Sequence, residues 1–178
     1  MHKEILALFV VLRKKPTKIS FSNYFVVYLL YIINKYTIMK LNCVVVDDSS
    51  LQRMIIAKLV NNHPNLHLIG DFSNAIEARS CMSIHTVDLI FLDVEMPVIS
   101  GFDFLDGLKI KPQIVFITSK AEYAMKAFDY DATDYLQKPI DIDRFNASVK
   151  RVMDLYMLKK ENKEDEGEHI FIKSNLKK

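Results

Sequence analysis

The chain has 178 residues, half of them hydrophobic, which is enough for one globular domain with a substantial core and some additional segments. Its net charge of +2 is unevenly distributed, because residues 1–40 carry seven lysines and arginines against one acid and residues 41–140 carry eight against thirteen. The acidic middle offers no broad basic surface for a nucleic-acid backbone, so we do not expect it to bind nucleic acid. The two cysteines, Cys43 and Cys81, form no close pair and indicate buried thiols in a reducing compartment, hence a cytoplasmic protein.

Residues 1–38 form a basic leader with two apolar runs, at 5–12 and 24–33. A membrane-spanning helix needs about 20 apolar residues, and the second run reaches that length only by including several polar residues. No small-residue cleavage site follows, as a signal peptide requires. Because Met39 begins a sequence typical of a protein start, we interpret the leader as an over-called start, with a membrane anchor or an extra helix as alternatives. Contact with a membrane is expected only if the leader is real.

From residue 41 onward, short apolar runs alternate with segments of helical periodicity. Strict alternation predicts an α/β fold, a doubly wound parallel sheet of five strands with helices on both faces. The second strand carries His67 and Asp71, so it is predicted to lie at an edge. The predicted strands are 41–46, 66–72, 88–92, 113–118 and 133–137, and the predicted helices are 50–62, 74–84, 101–108, 121–129 and 141–160.

The end of the chain has a different pattern. Residues 161–168 are almost all charged and predict a solvated linker. Residues 169–178, HIFIKSNLKK, alternate as a strand does, and a single strand is not stable alone. Either this strand pairs with something outside the chain, or the chain is the front of a longer protein.

Polar residues follow four of the five predicted strands, at the edge where a doubly wound sheet binds its ligands. Carboxylates that meet there repel one another unless a cation is present, and Mg²⁺ fits such oxygens while leaving room for a phosphate. A lysine and a threonine are suited to hold phosphoryl oxygens, by charge and by hydrogen bond. These residues are Asp47 and Asp48 after the first strand, Asp93 after the third, Thr118 at the end of the fourth and Lys138 after the fifth.

Each position also has a purely structural interpretation. Asp48 or Ser49 could cap the first helix, Lys138 with Pro139 could form a turn, and Tyr135 could be a core aromatic residue of a strand. For the acids, the lysine and the threonine, all of these would have to coincide at one sheet edge, which favours a site.

The motifs VVVDD, LDVEMPVISG, FITSK and DYLQKPI, in this order, resemble the receiver domain of two-component response regulators over about residues 41–160, and we assign residues 39–160 to this domain. The resemblance implies a flavodoxin-like (βα)5 fold with strand order 2-1-3-4-5. It implies that Asp93 accepts a phosphoryl group from a sensor histidine kinase, with Lys138 and Thr118 in the same site. Mg²⁺ would be held by Asp48, Asp93 and the backbone carbonyl of Glu95, with Asp47 acting through water.

The same resemblance implies a switch. Phosphorylation would draw Thr118 inward, and Tyr135 would move into the vacated space and reshape the face made by the fourth helix and fifth strand. A homodimer is expected on that face after phosphorylation. Glu95 and Lys120 match positions beside the route of the hydrolytic water, and their opposite charges could pair across the mouth of the site.

The tail and the segment FDYDATDYLQKPI resemble regulators with a LytTR-type DNA-binding output domain. The resemblance implies that residues 169–178 are the first strand of a truncated output domain, so DNA binding is expected only through a domain missing from this chain. The resemblance implies no enzyme but a phosphoacceptor that supports its own phosphorylation and dephosphorylation. Two alternatives stay open: a stand-alone receiver or phosphorelay protein, and a haloacid-dehalogenase-like phosphatase. The phosphatase family needs a DxD pattern after the first strand, where this chain has Asp47, Asp48 and Ser49.

Overall fold

The computed structural model describes residues 39–109 and 111–175, and Leu29 before them. The chain divides into two compact units, Lys40–Lys159 and a second made of Met1–Met39 and Lys160–Lys178. Apart from Leu29, the leader at 1–38 lies outside the described residues, so its interpretation stays a prediction. Within the described part of the chain, no helix is long and apolar enough to cross a membrane.

The unit Lys40–Lys159 contains a five-stranded, all-parallel sheet with the order β2-β1-β3-β4-β5. This confirms the predicted doubly wound α/β fold and the predicted edge position of β2. The strands are β1 (Leu41–Val46), β2 (Leu66–Phe72), β3 (Leu89–Asp93), β4 (Gln113–Thr118) and β5 (Asp134–Gln137). The helices are α1 (Ser50–Asn62), α2 (Ala75–Ile84), α3 (Gly101–Asp106), α4 (Tyr123–Asp129) and α5 (Ile142–Asn175).

The central strands β1, β3 and β4 are buried along nearly their whole length because helices cover both faces of the sheet. On one face, the Phe145 ring of α5 stacks on Phe91 of β3 at 5.4 Å and meets the ring of His63, at the end of α1, at 6.3 Å. Helices α1 and α5 therefore share this face. The opposite face packs against buried residues of α2, α3 and α4, namely Ala75, Ala78, Phe102, Phe104, Leu105 and Ala127.

Side-chain caps fix where three helices begin, directly after the loops at the strand ends. Ser49 accepts a hydrogen bond from the Gln52 amide and starts α1, and Asn74 starts α2. Ser100 accepts from the Asp103 amide and starts α3. Serine and asparagine are favoured at such positions because their side-chain oxygens satisfy free amides of the first turn. The caps therefore define the length of each loop at the carboxyl edge.

Helix α5 extends further than the sequence pattern predicts. It runs without interruption to Asn175, so residues 161–175 form neither the predicted linker nor the predicted strand. Glutamate and lysine, which are frequent in this segment, favour helix, and a single strand has no hydrogen-bond partner for its backbone. Residues 176–178, the end of the predicted strand, lie outside the described residues.

Candidate functional site

Strand register brings the predicted acids together at the carboxyl edge of the sheet. Val46 of β1 pairs with Leu92 of β3, so Asp47 and Asp93 are the next residues on neighbouring strands. One carboxylate oxygen from each of Asp47, Asp48 and Asp93 lies within 4.8 Å of the others. The site therefore lies between β1 and β3, at the switch point where strand order reverses.

Lys138 links the two buried acids. Its side chain extends from the end of β5 across β4 and places Nζ 2.7 Å from Oδ2 of Asp47 and 2.9 Å from Oδ2 of Asp93. Burial alone would lower the pKa of the Lys138 ammonium, but the hydrogen bonds and charges of Asp47 and Asp93 outweigh burial and raise that pKa. Lys138 is therefore a fixed positive charge between two carboxylates, of which Asp47 is fully buried and Asp93 is 5% exposed.

The negative charge of Asp93 is in an unfavourable environment. Burial raises the pKa of its carboxyl group, and the charge of Asp47 adds to this. Lys138 opposes the rise, as does the Glu95 backbone amide, which donates to Oδ1 of Asp93 at 3.3 Å. The pKa remains above its usual value, and a carboxylate destabilised in this way is typical of functional sites.

The loop between β3 and α3 folds tightly against the end of β3. The Gly101 amide donates to the carbonyl of Val94 at 3.0 Å, and a Cβ atom on Gly101 would collide with the backbone carbonyl oxygen of Asp93. Glycine is required here because of this close approach. The sequence assigned Gly101 only the start of α3, whereas the structure shows that it also lets the loop lie directly against the backbone of Asp93 and Val94.

Thr118 lies beside Asp93 on the adjacent strand. Asp93 pairs with Ile117, so Thr118 is one residue further toward the carboxyl edge, and its side chain is fully buried. Its hydroxyl oxygen accepts a hydrogen bond from the Lys120 amide at 3.4 Å. Its carbonyl accepts from the Lys138 amide at 2.9 Å. Thr118 therefore connects the loops that follow β4 and β5.

Tyr135 and the predicted rim pair form a connected set of contacts. The Tyr135 hydroxyl donates to the backbone carbonyl of Lys120 at 2.6 Å, and Nζ of Lys120 lies 2.6 Å from Oε1 of Glu95. The Lys120–Glu95 ion pair is thus present across the mouth of the site. Because both side chains are well exposed, the pair contributes little stability. Tyr135 is half-buried, so its ring borders the core and its hydroxyl contacts the loop after β4.

Arg53 is a residue of this region that the sequence reasoning missed. On α1, it donates from Nη1 to the carbonyl oxygen of Asp47 at 2.7 Å and from Nε to Asp71 Oδ1 at 3.1 Å. The available signal was an arginine one turn into the helix that follows the acid pair, which no motif singled out. The capping interpretation is correct for Ser49, while Asp48 remains exposed in the acid cluster.

The residues present fit a hard divalent cation. Three carboxylates converge within 4.8 Å, and one of them, Asp48, is exposed to solvent that can complete a coordination shell. Mg²⁺ typically takes one or two carboxylates, backbone oxygen and several waters. The donor set therefore suits Mg²⁺ better than a softer ion, which prefers sulfur or imidazole.

Fold and site together define a doubly wound α/β domain that gathers acids, a lysine and a buried hydroxyl at its switch point. The chain belongs to the family of response regulator receiver domains, since that family's sequence profile matches residues 43–150. The five motif positions Asp47, Asp48, Asp93, Thr118 and Lys138 all lie within the matched residues.

Similar proteins agree with this family. A response regulatory protein of Shewanella oneidensis is 42% identical over 114 residues, which cover 63% of this chain and 48% of that protein. The transcriptional regulatory protein BtsR of Escherichia coli is 37% identical over 110 residues, covering 61% of this chain and 46% of BtsR. The response regulatory domain of mrkE from Klebsiella pneumoniae superposes with a TM-score of 0.61 at 28% identity, covering 66% of this chain and 98% of that domain. The chain thus spans about half the length of the curated relatives it matches.

Proposed function

We propose that Asp93 is the phosphoacceptor of this receiver domain and takes its phosphoryl group from a sensor histidine kinase. The observation that carries the proposal is the contact of Lys138 Nζ with both Asp47 and Asp93, beside the third carboxylate, Asp48. A buried acid next to a fixed ammonium can react with a phosphoryl group whose oxygens the ammonium then binds.

In the proposed reaction, a carboxylate oxygen of Asp93 forms a bond to phosphorus while the phosphorus–nitrogen bond of the donor phosphohistidine breaks. The leaving imidazole nitrogen keeps the electron pair and takes up a proton. Lys138 stays protonated and offers its N–H groups to the phosphoryl oxygens, because its pKa is raised in this site. Thr118 can donate its hydroxyl to the same oxygens while the hydroxyl oxygen accepts a hydrogen bond from the Lys120 amide. Mg²⁺ held by Asp48, Asp93, the Glu95 carbonyl and, through water, Asp47 would neutralise the acids and the incoming charge.

We propose that the signal passes from Thr118 to Tyr135 and the α4–β5 face. Both residues contact Lys120, one at its amide and the other at its carbonyl, so a movement of Thr118 acts on the same peptide segment that holds the Tyr135 hydroxyl. The test compares Tyr135→Ala with Tyr135→Phe, which keeps the ring and loses only the hydroxyl. If phosphorylation-dependent dimerisation, measured by light scattering, is unchanged in Tyr135→Ala, the coupling through this residue is wrong.

The output of the response regulator is a further proposal. The chain matches about half of BtsR, whose name is that of a transcriptional regulator. We propose that phosphorylation acts on transcription in the cytoplasm through a DNA-binding output domain of LytTR type, as the partial match to a transcriptional regulator suggests. A receiver that acts only through protein contacts is the competing function, and the nucleotide sequence after codon 178 distinguishes the two.

The decisive experiment is incubation of the full chain with a small acyl phosphate and Mg²⁺, followed by intact mass measurement. We expect wild type to gain one phosphoryl group per chain and Asp93→Asn to gain none. An equal gain in both proteins would remove Asp93 from the proposed role. Sustained hydrolysis of a phosphate ester, in place of labelling that stops at one group, would instead support the phosphatase alternative.

A further inference from the structure

Arg53 makes contacts that point to a role beyond packing. It lies on α1, and its guanidinium joins three parts of the chain: α1 itself, the carboxyl end of β2 and the acid pair after β1. Nη1 donates to the carbonyl oxygens of Asp47 at 2.7 Å and of Asp48 at 3.5 Å, and Nε donates to Asp71 at 3.1 Å. The Arg53 side chain is only 18% exposed, so these bonds are partly shielded from water.

Arg53 acts on the carbonyl oxygens of the acid pair, whereas other hydrogen bonds hold the amide and the side chain of Asp47. The Asp47 amide donates to the carbonyl of Phe72 at 3.1 Å, and Oδ1 of Asp47 accepts from the Ser49 amide at 2.9 Å. These bonds hold the amide and the side chain of Asp47. The planar guanidinium of Arg53 holds the two peptide planes that contain the carbonyl groups of Asp47 and Asp48. The orientation of these two planes determines the direction of the Asp48 side chain.

We propose that Arg53 is a positioning residue that orients the acid pair for binding of a divalent cation. The inference rests on the proposed function, because it concerns the same carboxylates. Asp71, at the end of β2, anchors the guanidinium and offsets its charge, so Arg53 can approach the cation site without a full positive charge beside it. Outer contacts of this kind orient ligands, and their loss lowers metal affinity by about 10–100-fold.

A role of Arg53 through its charge and a role through its position predict opposite changes in the affinity for Mg²⁺. If Arg53 acted only by its charge, Arg53→Gln would remove a positive charge near the site and strengthen Mg²⁺ binding, and Arg53→Lys would leave binding unchanged. If Arg53 positions the acid pair, both variants should bind Mg²⁺ more weakly, because neither glutamine nor lysine reproduces the planar fork of the arginine guanidinium.

The experiment is titration of the full chain with Mg²⁺ by calorimetry, with urea unfolding of each variant as a check of the fold. We expect the Mg²⁺ dissociation constant to rise about tenfold in Arg53→Gln and several-fold in Arg53→Lys. The matched control is Arg79→Gln, since Arg79 also donates to a backbone carbonyl, that of Phe104, at 3.3 Å, but contacts none of the three acids. This control should bind Mg²⁺ as wild type does.

The outcomes separate this inference from the proposed function. If the wild-type chain binds Mg²⁺ and Arg53→Gln binds it equally or more tightly, the positioning role is overturned and the proposed function stays intact. If Arg53→Gln does not fold, Arg53→Lys is used instead, and unchanged or tighter Mg²⁺ binding in that variant overturns the positioning role. A wild-type chain that shows neither saturable Mg²⁺ binding nor labelling of Asp93 overturns both.

Discussion

Replacement of Lys138 by methionine tests the electrostatics of the site most directly. The substitution removes the ammonium that lies 2.7 Å from Asp47 and 2.9 Å from Asp93 and leaves two buried carboxylates facing each other. Breaking a buried ion pair costs roughly 3–5 kcal/mol. Because the Lys138 side chain is 10% exposed at the edge of the sheet, we expect the lower end, about 3 kcal/mol at pH 8 without divalent ions.

The pH dependence of this loss follows from Asp93. In Lys138→Met, the hydrogen bond and charge that oppose the rise of the Asp93 pKa are absent, so that pKa rises further above its unfolded value. The folded variant then binds a proton more tightly than the unfolded chain does, so its stability increases as the pH falls. The difference from wild type should therefore shrink between pH 8 and pH 5. Added Mg²⁺ should also restore part of the stability at pH 8.

The assay is urea unfolding followed by circular dichroism, since the chain contains no tryptophan. The matched control is Lys120→Met, which breaks the exposed pair with Glu95 and should change the stability very little at either pH, because solvent screens exposed charges. A loss in Lys138→Met that is no larger than in this control, or that is equal at pH 5 and pH 8, would refute the reasoning.

Three further predictions concern the backbone and a second ion pair. Val98 is fully exposed and has a φ of 71°, a left-handed conformation that costs a β-branched residue roughly 1–2 kcal/mol. Val98→Gly should therefore raise the midpoint of thermal unfolding by a few degrees, and a decrease would contradict this. In Gly101→Ala, the added methyl group would collide with the backbone carbonyl at the end of β3. We expect the free energy of unfolding in urea to fall by roughly 1–3 kcal/mol and labelling by acyl phosphate to slow. Values equal to those of wild type would show that the loop moves to accommodate the methyl group. Burial alone would raise the pKa of Asp134, but hydrogen bonds, first that of Arg144, keep it below its usual value. The stability from this pair is therefore present above the usual pKa of a carboxyl group and is lost as the pH falls through the lowered pKa of Asp134. Arg144→Gln should therefore destabilise the chain at pH 7 and much less near pH 2. Equal losses of stability at the two pH values would contradict this.

Most of the fold was predictable because hydrophobic periodicity is a local property of the chain. Strands β1, β2 and β4 have the bounds that the sequence predicted, β3 lies one residue later than predicted at both ends, and β5 begins one residue later. Alternation of strands and helices then required a parallel sheet. The predicted end of α5 is wrong, because residues 169–178 alternate as a strand does, whereas the helix propensity of the preceding residues and the need of a strand for a partner favour helix to Asn175.

The sequence by itself determined which residue types stand at the strand ends, and therefore the acids, the threonine and the lysine of the site. Only the tertiary structure decided how they meet, because the distances from Lys138 to Asp47 and Asp93 depend on the order and register of the four strands β1, β3, β4 and β5. The same holds for Arg53 and Gly101, whose contacts join segments that no motif connects. A local pattern records which side chain each residue carries, whereas the environment that shifts the pKa of Asp93 arises only when the sheet and its loops enclose it.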